Sequence, residues 1–377
     1  MEAAVSLFDY SRVTIVATWI IAWVTHSVII GAAAICGSRF MRRASARATL
    51  FRIALLLPIG SATIALSVRG GNNAPTSVQL QSRDVRPRVD VDVRQNTVQG
   101  KPVTTRHVRD ALAERRAVAL TSVFFVSAVI GLVLFALRIV QSRQKLRGRI
   151  RADALFAADL TNASGKVQRV EAMRITTSDA LTSPVALPGR EICVPLDFAS
   201  VPNAERRAVL AHEVAHIERH DAEWSLFVDA LVACSCLNPM SHVVRSHIRR
   251  EHEMAADQIA IARGADRVAL IGALQRFALM IERNREIAIA IPFVRRPSLT
   301  LARATALASP ALIIPERQSQ LRYFIVAISL CGAVWASLQV PLFSTVSAFP
   351  AGGSSAAHGA NPGTIVKDEV TAVRTSP

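Results

Sequence analysis

The sequence predicts a mainly α membrane protein: four transmembrane helices, with a cytoplasmic α+β domain inserted between the third and the fourth. Three observations predict it. Of the 377 residues 51% are hydrophobic and only 5% aromatic, which suits helices packed in lipid. Four segments are apolar over lengths comparable with a bilayer crossing. Between the third and fourth lies a stretch of about 185 residues (138–322) of mixed character, long enough for a domain of its own.

The first apolar segment is Val13–Gly37, with no charged residue until Arg39. Glu2 and Asp9 replace a basic leader region and no cleavage site follows, so it is expected to be a retained anchor. The second, Ile53–Val68, is short and carries Pro58; a helix needs ~20 apolar residues to cross the hydrocarbon core. The third is Ala117–Leu137 and the fourth Tyr323–Phe343.

The arginines orient these spans. Arg39, Arg42, Arg43, Arg47 and Arg52 crowd the first short loop, and Arg138, Arg143, Lys145, Arg147, Arg149 and Arg151 follow the third span. Both clusters should face the cytoplasm. The expected order is therefore two spans within 1–68, an extracytoplasmic loop 69–116, a third span 117–137, a cytoplasmic domain 138–322, a fourth span 323–343 and a flexible outer tail 344–377. The N-terminus lies outside a cytoplasmic (inner) membrane. In the outer loop, "PRVDVDVRQ" alternates as one exposed strand would.

The formal charge of +16 raises nucleic acid as a partner. The basic residues sit beside apolar runs, so no direct nucleic-acid binding is expected, and the bilayer is the partner they imply. The five cysteines, Cys36, Cys193, Cys234, Cys236 and Cys331, are scattered and do not form a disulfide framework. Cys234-Ser-Cys236, inside an apolar helix, reads as packing rather than a metal pair.

The inner segment opens with a basic juxtamembrane helix candidate, "LRGRIRADALFAADL". Residues 167–198 have short apolar runs broken by Pro and Gly, which predicts a small sheet of two to four strands. Two helices follow, then a less distinct region, 264–320.

The first of those helices carries "LAHEVAHIER". Pro202 and Asn203 give it a start, Glu205 suits its first turn, and Val209, Leu210, Val214 and Ile217 should face inward. On a helix, residues four apart share a face, so the imidazoles of His212 and His216 can reach one metal ion. Glu213 is then placed to act on the attacking water, as a catalytic base. This is zinc-hydrolase spacing, but Zn²⁺ needs a third protein ligand and an open fourth position. The second helix offers one in "RREHEMAAD": Glu253 as the ligand, with Asp257, four residues on, accepting the distal N–H of a ligand histidine. Ala255 and Ala256 would let the two helices approach. Taken alone, this charged stretch reads as a solvated helix face; beside the HExxH motif the ligand reading is preferred.

Between the helices, "AEWSLFVDALVACSCLNPM" is too short for a span, and reads as either an interfacial helix or a re-entrant hairpin. His220 should sit at a helix C-terminus, where the dipole favours it. His242, His247 and His252 are candidates for oxyanion stabilisation, none singled out. His26 and His107 show no sequence partner.

These residues resemble the integral membrane zinc peptidases typified by the penicillin-sensing transducers of the BlaR/MecR type. The resemblance rests on "SPVALPGREICVP" (183–195), "LAHEVAHIERHD" (210–221), the Asn238-Pro239 pair and "RREHEMAAD" (249–257), in that order, and on three spans before the domain and one after. It covers residues 1–345. It implies a cytoplasmic gluzincin-like zinc peptidase domain and a signal transducer that cleaves a cytoplasmic repressor of the winged-helix kind, with possible self-cleavage; "VRRPSLTLAR" (294–303), a basic exposed linker, is a conceivable self-processing site. Two features depart from such sensors. The residues after the last span are too few for a penicillin-binding sensor domain, so β-lactam sensing by this chain is not expected. Ala256 stands where members often have cysteine, a position expected only to pack. A constitutive quality-control zinc protease and a catalytically silent receptor or scaffold stay open as alternatives.

Overall fold

The computed structural model describes residues 10–72, 104–164, 173–285, 297–309 and 320–339. The alternating outer stretch 87–95, His107's side chain, residues 294–296 and the tail 344–377 lie outside the described residues. All described residues belong to one unit, Met1–Val340.

Helices α1 (Tyr10–Ser38) and α2 (Ala44–Asn72) form an antiparallel hairpin, and α3 (Thr104–Lys145) follows. Within them, Val13–Ser38, Ala44–Val68 and Leu112–Lys145 are 26, 25 and 34 residues long and apolar enough to cross a membrane. At about 1.5 Å per residue each exceeds the ~30 Å hydrocarbon core. The second span is thus longer than its hydropathy suggested. The arginines that appeared to end it, Arg47 and Arg52, are helical, half-buried and paired with Glu251 and Asp221. Pro58 is accommodated within the helix. The last helix, α10 (Gln320–Gln339), has only a shorter apolar stretch, Ile325–Gln339. Among the described residues, then, three helices meet the span criteria.

The residues after α3 form a mixed α and β region. Its sheet has four strands, β1 (Ile150–Arg151), β2 (Arg174–Ser178), β3 (Val185–Leu187) and β4 (Glu191–Pro195), in the order β1-β2-β4-β3. β2 and β4 run parallel, and β3 pairs antiparallel with β4, with Ala186 opposite Ile192. β3 is therefore an outer strand. Helix α4 (Asp153–Ser164) lies between β1 and β2 in sequence. Phe156, Leu160, Ile175, Ile192, Val194 and Phe198 make a core with Leu210, Val214 and Ile217 of α5 (Asn203–Glu218). That core explains why α5 is buried from Ala208 to Ile217: the sheet and α4 pack against it on one side and other helices on the rest.

Helices α6 (Asp221–Cys234) and α7 (Pro239–Ala262) form a second hairpin. Asn238 caps α7, its side chain accepting from the Met240 N–H, with Pro239 at the first turn where no N–H is needed. The apex of this hairpin lies against the spans. The Asn238 amide donates to Ser27 Oγ in α1 at 3.0 Å, and Cys236 Sγ reaches the Ser127 carbonyl in α3. At Gly131 of α3 an added Cβ would lie 2.1 Å from the Ala233 carbonyl oxygen, so the contact needs glycine. Val228, Val232, Val244 and Ile248 of this hairpin share a second core with Ile30, Phe51 and Leu55 of the spans and Val326 of α10. Helices α8 (Arg267–Arg285) and α9 (Pro297–Ala308) complete the unit.

Candidate metal centre

α5 packs against α7, in which Ala255 and Ala256 are buried, Ala255 in a cluster with Ala44 of α2 and Ala302 and Ala306 of α9 rather than with α5 as the sequence suggested. That packing faces His212 and His216 toward Glu253. The two Nε2 atoms are 3.1 Å apart, and Glu253 carboxylate oxygens lie 3.6 Å from Nε2 of His212 and 3.8 Å from Nε2 of His216. All three donor atoms fall within 4.8 Å of one another.

Each imidazole is oriented from behind. His212 Nδ1 is 2.9 Å from Asp257 Oδ1, and His216 Nδ1 is 3.0 Å from Asp221 Oδ2. With both Nδ1–H groups donating to carboxylates, both Nε2 lone pairs point into one space. Two lone pairs 3.1 Å apart repel unless a proton or a cation lies between them. Arg303 Nη2 lies 3.1 Å from His212 Nε2 and brings positive charge to that space. Burial and the neighbouring Arg303 push the His212 imidazole down, but Asp257 and Glu253 outweigh them and carry it up to about 9.

The donor set fits Zn²⁺. Bonds of about 2.0–2.1 Å in a tetrahedral shell imply ligand-to-ligand edges of about 3.3 Å; here the two Nε2 atoms are 3.1 Å apart, Glu253 Oε2 is 3.6 Å from His212 and Glu253 Oε1 is 3.8 Å from His216. Two neutral imidazoles and one carboxylate leave a fourth position open, as catalytic sites require. His212, His216 and Glu253 are thus the residues able to hold a metal.

Glu213 is buried beside them, and its Oε2 accepts the backbone N–H of Ala186 in the outer strand at 2.7 Å. A small cleft brings His212 and Glu213 together with Ser183, Val209, Leu270, Leu274, Phe277 and Arg303.

Three partners of this site were not singled out as such in the sequence. Asp221 opens α6 directly after His220, whose left-handed backbone (φ 53°) reverses the chain and returns the carboxylate to His216. Arg52 of α2 donates to the other oxygen of Asp221 at 3.0 Å. Arg303 of α9 is 3% exposed. It forks onto both oxygens of Asp257 at 2.8 and 2.7 Å and onto Glu253 Oε2 at 2.7 Å. Burial lowers its guanidinium, yet the attraction of Asp257 and Glu253 prevails and the group is raised above its ordinary value. Arg303 corrects the reading of 294–303 as an exposed linker: Pro297–Ala308 is a helix, and its arginine points into the site. The signal available was a single cation within an otherwise apolar helical stretch.

Among the described residues no other histidine joins the donor set, although His252 Nε2 lies 3.6 Å from Asp221 Oδ1. His220 is an exposed reversal residue, His242 contacts the Cys236 carbonyl, His247 stacks on Phe51, and His252 meets Arg52. In α1, His26 Nδ1 lies 2.9 Å from Ser61 Oγ.

No match is found among curated proteins. A family model described as BlaR1 peptidase M56 matches residues 52–268, more than half of the chain. The matched stretch begins at Arg52 and contains every residue of the His212, His216 and Glu253 cluster. The chain therefore belongs to the BlaR1 peptidase M56 family, and with it to the membrane-associated metallopeptidases.

Proposed function

We propose that this protein is a membrane-embedded zinc-dependent endopeptidase, with His212, His216 and Glu253 as metal ligands, Glu213 as general base and Asp257 orienting His212. The observation that carries this reading is the convergence of those three donors, each imidazole backed by its own carboxylate. Bound there, zinc would supply a Lewis acid for the scissile carbonyl and the attacking water. The chain supplies the remainder. Glu213 takes a proton from that water on a carboxylate oxygen and returns it to the leaving amine nitrogen. An extended substrate adds to the outer strand β3, where it competes with Glu213 for the Ala186 N–H. Val209, Leu270, Leu274 and Phe277 line the cleft and favour an apolar side chain next to the cleaved bond.

The topology we infer has four spans, the fourth running on from α10, an outside N-terminus and the zinc domain in the cytoplasm. It is supported by the α1–α2 turn. That turn carries the first arginine cluster, and it touches the zinc domain, with Ala44 N–H donating to Gln258 and Arg47 pairing with Glu251. Turn and domain thus share a side, and arginine excess marks the cytoplasmic one. The α6–α7 hairpin is read as re-entrant, since its apex reaches Ser27 and Ser127, well inside the spans.

The role we propose is cleavage of a cytoplasmic transcriptional repressor of the winged-helix kind on an outside signal. Proteins of cells carrying the wild type or Glu213→Gln decide this. One transcription factor intact only in the variant supports signalling. Accumulation of many misfolded membrane proteins supports quality control instead. No difference at all overturns the peptidase reading and leaves a scaffold.

A further inference from the structure

A charge inside an apolar helix is costly to keep, and such residues are retained where a partner repays them. Arg52 lies within the span Ala44–Val68, about 12 Å along α2 from its start at 1.5 Å per residue. Its Nη2 donates to Asp221 Oδ1 at 3.0 Å and lies 2.7 Å from His252 Nε2, and its guanidinium carbon sits 4.6 Å from the centre of the Trp224 ring. Asp221, 3% exposed, is gripped on both oxygens. Oδ2 accepts from His216 Nδ1 and from Arg219 Nε, both at 3.0 Å, while Arg52 holds Oδ1. The chain of contacts therefore runs from a membrane helix, through one carboxylate, to an imidazole of the metal centre.

We propose that Arg52 is a positioning residue of the metal centre: by fixing the Asp221 carboxylate it aims His216, so that metal retention depends on where α2 sits relative to the zinc domain. The inference rests on reading His216 as a metal ligand. Arg52 touches neither metal nor substrate. Its action passes entirely through Asp221, whose plane rotates about the Oδ2 contacts once Oδ1 is released. Outer partners of metal-bound histidines typically change metal affinity by about 10–100-fold when removed. Arg47 supplies the contrast. It stands five residues earlier on the same helix and also anchors α2 to the domain, through Glu251 at 2.6 Å, while donating to the carbonyls of Met41 and Arg42 in its own turn, and none of these partners orients a histidine of the centre. Two arginines of one helix thus grip the domain, and only one reaches the metal. A stimulus that slides or turns α2 has in Arg52 a direct mechanical route to the site.

The test uses the full chain in detergent and measures the zinc Kd by chelator competition, with the thermal midpoint of the metal-free form measured alongside. Arg52→Gln is expected to weaken zinc about tenfold. Asp221→Asn should weaken it at least as much, and the double variant no more than Asp221→Asn alone. Arg52→Lys, which keeps one donor, should recover part of the loss. Arg47→Gln should leave zinc affinity unchanged while lowering the metal-free midpoint. Wild-type affinity in Arg52→Gln, additive losses in the double variant, or an equal loss in Arg47→Gln overturns the inference. If Arg52→Gln does not fold, Arg52→Lys decides by the same criterion of weakened affinity. A wild-type chain that takes up no zinc overturns the metal-site reading, and this inference with it; zinc binding that is indifferent to Arg52 overturns the inference alone.

Discussion

His212 and His216 meet Nε2 to Nε2 at 3.1 Å, with Asp257 and Asp221 each holding the Nδ1 of one ring. The arrangement fixes which nitrogen of each ring faces the shared space before any ion arrives. The two carboxylates come from different places. Asp257 is one helical turn past Glu253 on α7, and Asp221 lies beyond a left-handed reversal at the end of α5.

Asp257→Asn keeps the shape of the side chain but removes the charge that orients His212. Zinc affinity is expected to fall about 10–100-fold, read by chelator competition, with the helical content unchanged. Wild-type affinity would show that His212 is oriented by its packing alone.

Arg303→Met leaves Asp257 and Glu253 buried without their shared cation. Breaking a buried ion pair from one side costs about 3–5 kcal/mol. The metal-free midpoint in detergent should drop accordingly. Added Zn²⁺ should restore part of the loss, because a bound cation stabilises the state that binds it. An unchanged midpoint would contradict the buried clamp.

Gly131→Ala places a Cβ against the Ala233 carbonyl, where there is no room for one. Overpacking of this kind costs about 1–3 kcal/mol. The expected result is a lowered unfolding midpoint together with faster proteolysis of the 234–239 connection, measured on the purified chain. If the midpoint holds, α3 and α6 are not packed as described.

Glu191 gives a pH dependence of stability. Burial raises its carboxyl, but hydrogen bonds from Arg149 and Thr176 outweigh burial and hold the pKa below the ordinary value. A lowered folded pKa stabilises the fold above the unfolded carboxylate value of about 4.3. That contribution is lost as pH falls through the folded value. The midpoint difference between wild type and Glu191→Gln should therefore be constant near neutrality and shrink at acid pH. A difference independent of pH down to acid conditions would mean that the ion pair contributes nothing.

How much of this was legible in the sequence follows from distance along the chain. His212, Glu213 and His216, and then Glu253 and Asp257, sit at helical spacing within single helices, so their shared faces follow from periodicity. Arg52 and Arg303 join the site across separations of 169 residues (Arg52–Asp221) and 46 residues (Asp257–Arg303), which no local pattern encodes, while Asp221 is only five residues past His216 but beyond a left-handed reversal that helical spacing does not reveal. The same blindness shortened the second span. Hydropathy counts Arg47 and Arg52 as ends of an apolar run, whereas their charges are neutralised by Glu251 and Asp221 of the domain, and the helix continues past them. The basic stretch 294–303 misled for a related reason: its last residue is an internal counter-ion.

The central claim is that one metal ion is shared by His212, His216 and Glu253. X-ray absorption at the zinc edge of the purified, zinc-loaded chain tests it most directly. The account predicts about one zinc per chain, bound by two imidazole nitrogens and oxygen donors with no sulfur, and loss of that signal in His216→Ala and in Glu253→Ala. Sulfur in the first coordination sphere, or an unchanged spectrum in either variant, would contradict it.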